Sequence, residues 1–77
     1  VFLFNSIANS LDVSMLGDMR TELELVELFA MDGKLIFSRH PKAKHCTIDL
    51  SSLNNGVYLA RAIASNGTIN TNRILKL

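Results

Sequence analysis

Apolar and polar residues alternate with a period of two along much of the chain. Leu11, Val13 and Met15 are separated by Ser10, Asp12 and Ser14, the pattern of a strand with one dry and one wet face. Gly17-Asp18 ends that run. Cys46, Ile48 and Leu50 alternate in the same way with His45, Thr47 and Asp49. Ser51 to Gly56 then breaks the period with residues that bond their own backbone or accept positive φ. Leu53 inside that corner is expected to plug a core edge. From Val57 to Ile63 the chain is apolar on both faces except at Arg61, which predicts a central strand covered on both sides. Ile69 to Leu77 predicts a last strand. At the other end, Val1-Phe2-Leu3-Phe4 has strand-type residues, and Asn5 to Ser10 reads as a loop.

Residues 16 to 30 support two periods. Leu16, Met19, Leu23, Val26 and Ala30 recur at helical spacing, and Glu, Leu and Met favour helix. Leu23 and Leu25, then Val26 and Leu28, alternate instead with acids, and the phase slips at Leu25-Val26 as a bulge would produce. The flank decides for strands. Met31-Asp32-Gly33-Lys34 carries the Asp-Gly pair of a hairpin turn, and Leu35-Ile36-Phe37 follows at once. Ser65-Asn66-Gly67-Thr68 gives a second hairpin turn. Its Asn-Gly-Thr also matches a glycosylation acceptor pattern, which the turn explains without a sugar.

About seven short strands with turn signals between them predict an all-β fold, a small Ig-like antiparallel β-sandwich. Residues 1–77 are expected to form a single domain. Leu11, Val13, Leu28, Ile48, Leu50, Leu53, Tyr58, Ala60 and Leu75 are the expected core. The Tyr58 ring should be buried with its hydroxyl on a backbone partner.

Composition narrows the function. The chain is short for a core without staples, but 48% of its residues are hydrophobic, so disorder is not expected. A net charge of +1 gives no support to nucleic-acid binding. No apolar run approaches a membrane span, so direct membrane insertion is not expected. No signal peptide opens the chain, which starts at Val1 and is taken as a piece of a longer protein. The acids gather before the bases: Asp12, Asp18, Glu22, Glu24, Glu27 and Asp32 precede Lys34, Arg39, Lys42, Lys44, Arg61, Arg73 and Lys76. The plain reading is that opposite charges meet across paired strands, the functional one a surface dipole that orients a partner.

Candidate chemistry is sparse. The single cysteine excludes an internal disulfide, and Cys46 reads as a small buried hydrophobe. Arg39, His40, Lys42, Lys44 and His45 read as a solvated basic loop around Pro41. A metal site from His40, His45 and Cys46 is disfavoured, because neighbours on a strand point opposite ways. There is no phosphate loop, and no spacing favours a Ser-His-Asp triad. The chain reads as a non-enzymatic binding or signalling domain with no cofactor.

Several spaced motifs carry a resemblance. Asp32-Gly33-Lys34, Asp49-Leu50-Ser51-Ser52-Leu53, Gly56-Val57-Tyr58-Leu59 and the basic-apolar end Arg73-Ile74-Leu75-Lys76-Leu77 resemble the C-terminal sorting domain of type IX (Por) secretion cargo. The similarity is good over Glu24 to Leu77. Upstream, where that family usually has a Pro-Asn-Pro type motif, this chain has Phe4-Asn5-Ser6-Ile7-Ala8-Asn9. The resemblance implies a signal domain that directs its parent across the outer membrane. Its implied partners are the translocon, a shuttle protein and a sortase-like peptidase that removes the domain. The parent would pass through the periplasm of a Gram-negative, Bacteroidetes-type bacterium to the cell surface or the medium. Recognition is expected at Arg73, Ile74, Leu75, Lys76 and Leu77, with Asp32, Gly33, Lys34, Gly56 and Tyr58 as structural motif residues. An exposed edge strand also admits a homodimer. The alternative is an Ig-like or fibronectin-type accessory or adhesion module of a surface protein, and a third reading is a subunit that polymerises through its edges.

Overall fold

The computed structural model describes residues 2–7, 9–16 and 20–77. The expectations placed on Val1, on Gly17-Asp18 and on Met19 lie outside the described residues. Seven strands run in order: β1 (Phe2–Ile7), β2 (Ser10–Met15), β3 (Leu23–Ala30), β4 (Leu35–Arg39), β5 (His45–Asp49), β6 (Gly56–Ala64) and β7 (Ile69–Lys76). They form two antiparallel sheets, β1-β2-β5 and β4-β3-β6-β7. This is an Ig-type sandwich in which the fourth strand pairs with the third rather than with the fifth.

The core lies between the sheets. Leu11 and Val13 of β2 and Ile48 of β5 face Val26 and Leu28 of β3, Ala60 and Ala62 of β6 and Ile74 of β7, and all are buried. The alanines are what lets the sheets meet. Three of them, Ala60, Ala62 and Ala64, line the inner face of β6, and the bulky partners come from the opposite sheet. Leu53 and Tyr58 pack against this core from its edge. The Tyr58 hydroxyl donates to the Asn54 carbonyl at 2.6 Å, which braces the corner between β5 and β6.

Both expected hairpins form, and they share one geometry. In the first, the Ala30 amide donates to the Lys34 carbonyl and the Gly33 amide to the Ala30 carbonyl. In the second, the Ala64 amide donates to the Thr68 carbonyl and the Gly67 amide to the Ala64 carbonyl. The glycines sit at φ 92° and 91°, and the Asx residue before each accepts the next amide, Lys34 on Asp32 and Thr68 on Asn66. This is a three-residue loop closed by a left-handed glycine, which puts a bulge into the following strand. The register of β3 with β4 shifts accordingly between Leu28 and Phe29.

Five expectations need correction. Asn5 to Ile7 is strand rather than loop, because β1 pairs with β2 as far as Ile7–Ser10 and its backbone bonds override the weak strand preference of Asn and Ser. The tight connection that follows places Asn9 at φ 70°, a conformation asparagine tolerates. The helical spacing of 16–30 is not used: Leu23–Ala30 is strand, and a register shift between Leu23 and Leu25 explains the slipped phase. Leu75 is 57% exposed, since the inward phase of β7 belongs to Ile74 and Lys76. The outer face of β6 is only half-covered at Val57, Leu59 and Ile63, because no second layer among the described residues lies on that side. The basic loop is not simply solvated. Its backbone ties the sheets together: Lys42 donates to Leu23, Leu23 to Ala43 and Met15 to Lys44. The Lys44 ammonium donates to the Thr21 carbonyl at 2.8 Å.

The segregated charges do meet across strands. Arg61 of β6 donates through Nε to Glu27 of β3 at 2.8 Å and closes a second bond through its terminal nitrogen. The same guanidinium lies 5.4 Å from the Phe29 ring centre.

Candidate recognition edge and the pocket beneath it

β7 is held on one side only, by β6, with Gly56 opposite Lys76 and Tyr58 opposite Ile74. Its other edge presents unpaired backbone groups along the strand, as any outermost strand must. The side chains alternate strictly over the last four residues. Ile74 and Lys76 turn inward and are buried, while Arg73, Leu75 and Leu77 are exposed. Composition alone could not have fixed this phase. Both alternating sets carry an apolar residue, and the choice is made by the register with β6.

The register also gathers motifs that are far apart in sequence. Ala30, Tyr58 and Ile74 lie side by side across β3, β6 and β7. The Asp32-Gly33-Lys34 turn therefore leaves the sheet at the end where Gly56, Tyr58 and the Ile74–Leu77 segment lie. Gly56 adopts φ 154°, a region L side chains rarely enter, as the chain passes from the Leu53 corner into β6. The corner is braced by Ser51 and Leu53, whose amides donate to the Asp49 carboxylate and the Leu50 carbonyl. Those bonds from Ser51 hold the Asp49 carboxyl below its usual range.

Beneath this edge, at the open end of the sandwich, lies a cavity of about 160 Å³ lined by Ser6, Asn9, Leu50, Leu75, Lys76 and Leu77. Sequence reasoning missed it, because it is assembled from β1, the turn after β1, the end of β5 and β7. Its polar part is the inward Lys76, only 8% exposed.

The other candidate chemistry is dispersed. Cys46 is half-buried against the core, and burial pushes its thiol up while Arg39 pulls it down. His45 on the opposite face is exposed and lies 3.8 Å from Asp12. Among the described residues no group of three His, Cys, Asp or Glu side chains could hold a metal ion. No helix among them is long and apolar enough to cross a membrane.

The model of one protein family, the secretion system C-terminal sorting domain, matches residues 5–76. No curated protein matches the chain. The family is one of signal domains that engage secretion machinery, in proteins that Bacteroidetes-type bacteria secrete or display at the cell surface. The match covers nearly the whole chain, which therefore belongs to the secretion system C-terminal sorting domain family and serves as a sorting signal for type IX secretion.

Proposed function

We propose that β7 is the element the outer-membrane translocon reads, with Arg73, Ile74, Leu75, Lys76 and Leu77 as the recognised segment. What supports this is the free edge of β7 at the end of the sheet where the Asp32-Gly33-Lys34, Gly56 and Tyr58 motifs also lie. An extended segment of the translocon adds to that edge through backbone bonds, and the exposed Leu75 and Leu77 give side-chain selectivity. Gly33, Gly56 and Tyr58 act at a distance, by fixing the turns that hold β6 and β7 in register. Residues 1–77 act as one folding unit that catalyses nothing. The parent protein reaches the translocon from the periplasm with the help of a shuttle protein, and a sortase-like peptidase then removes the domain.

The test is a periplasmic fluorescent reporter carrying the chain at its C-terminus. Surface signal is compared in a bacterium with a working type IX system and in a translocon-deficient mutant. The unmodified fusion should reach the surface only in the competent strain. Leu75→Glu combined with Leu77→Glu should lower that signal at least tenfold while the domain stays folded, because both side chains are already in solvent. Normal export of a fusion lacking residues 72–77 would sink the proposal. A homodimer through the same edge competes for the same backbone groups, and sedimentation over a wide concentration range detects it.

A further inference from the structure

Lys76 is a cation turned into the sandwich. It follows the buried Ile74 in the inward phase of β7, lies opposite Gly56 and keeps 8% exposure. Among the described residues it makes no side-chain hydrogen bond and no ion pair. The half-covered cations elsewhere are matched, Arg61 by Glu27 and Lys44 by the Thr21 carbonyl. Lysine is rarely buried without a partner, because removing an ammonium from water costs several kcal/mol unless an anion compensates. Here the cavity of about 160 Å³ stands where such an anion would sit. Ser6 and Asn9 add neutral polar groups to its wall, and its apolar wall is Leu50, Leu75 and Leu77. No acid lines it.

We propose that this cavity binds a carboxylate, contributed by an acidic side chain of the polypeptide that pairs with β7. The proposal rests on the reading of β7 as the recognised edge. Size sets the ligand class. At ~30 Å³ for each liquid water the cavity holds about five, enough for a carboxylate with one or two methylenes. A sugar ring or a nucleotide does not fit. One ammonium with neutral donors matches a single negative charge, whereas a phosphate dianion calls for a guanidinium fork or several cations. The exposed Leu75 and Leu77 at the rim favour a carboxylate carried on an apolar strand over a free ion. On binding, Lys76 Nζ donates to a carboxylate oxygen, and the unmatched charge is neutralised.

The experiment is an amide NMR titration of the 77-residue chain with three probes: acetate, an extended pentapeptide with a central Glu between Val and Ile residues, and the same peptide with Gln. The Glu peptide should shift the Ser6, Asn9, Leu50 and Lys76 amides and saturate at least tenfold below the Gln peptide. Lys76→Met should abolish that preference and Lys76→Arg should retain it. Removing an unpaired inward charge should leave the Lys76→Met domain folded, which its own spectrum checks. Equal affinity for the Glu and Gln peptides, or a preference that survives Lys76→Met, overturns the proposal. Saturation by acetate with no gain from the peptide overturns the side-chain source and assigns the cavity to small free carboxylates. The titration is independent of export. If the unmodified reporter fusion fails to reach the surface, the sorting edge is wrong while the titration still judges the cavity.

Discussion

Gly33 and Gly67 occupy the same position in two copies of one turn, each after an Asx residue and each near φ 90°. A methyl group added at either would meet nothing within 4 Å, so the cost of alanine there is conformational alone. That cost is about 1 kcal/mol, the penalty of a left-handed backbone for an L residue. Gly33→Ala and Gly67→Ala should each lower the thermal midpoint by about 4–8 °C, the shift expected of that energy in a domain this small. Leu28→Ala, which empties a fully enclosed site, should cost about 2–5 kcal/mol. Calorimetry of the three variants orders them, and a larger loss at either glycine than at Leu28 would refute the assignment. Cys46 carries a pH signature. Its thiol is raised by burial in the fold, so its contribution to stability is complete below the unfolded pKa near ~8.5 and is lost as pH rises through the folded value. Urea unfolding at neutral and at alkaline pH should show a steeper alkaline loss for the native chain than for Cys46→Ala.

At the scale of elements, the paired charges Glu27 and Arg61 link the two central strands of the larger sheet. The Glu27 side chain is 13% exposed and that of Arg61 40%, so solvent screens the pair from one side only. A double-mutant cycle with Glu27→Gln and Arg61→Met should give a coupling of about 1 kcal/mol, the upper end for exposed pairs. Zero coupling would mean that Arg61 is held by the Phe29 ring instead. This pairing was legible in the separation of acids from bases along the chain, as were β2, β5 and both hairpins, where period and turn residues agree. Three features were not legible. β1 runs on through Asn5 and Ser6 because its partner offers backbone bonds that side-chain preference does not report. β7 has apolar residues in both phases, so Leu75 looked like core until the pairing with β6 turned Ile74 inward. The cavity at Lys76 draws on four separate stretches, and no local pattern announces it. The spaced motifs of the sorting family were visible one by one, but their convergence at one end of the sheet needed the register.

For the whole molecule, the question is whether two small sheets unfold as one. The larger sheet has the longer strands, while the smaller is built from strands of five and six residues. Neither buries anything alone. Leu11, Val13 and Ile48 are covered because Ala60, Ala62 and Leu28 face them, and separating the sheets would expose all of these together. The loop after β4 adds a second tie, bonding to Met15 of one sheet and Leu23 of the other. Two native probes report the sheets separately. Tyr58, the single tyrosine, sits on the larger sheet, and Cys46, the single cysteine, on the smaller. Tyrosine fluorescence and thiol accessibility, followed through urea unfolding, should give coincident midpoints, the mark of a two-state transition. A thiol that becomes reactive well before the tyrosine signal changes would show the smaller sheet detaching first. β1 and β5 would then be a labile cover over a stable β3–β6–β7 core. The edge at β7 would persist in that state, but the cavity at Lys76 would not, because Ser6, Asn9 and Leu50 belong to the detaching side.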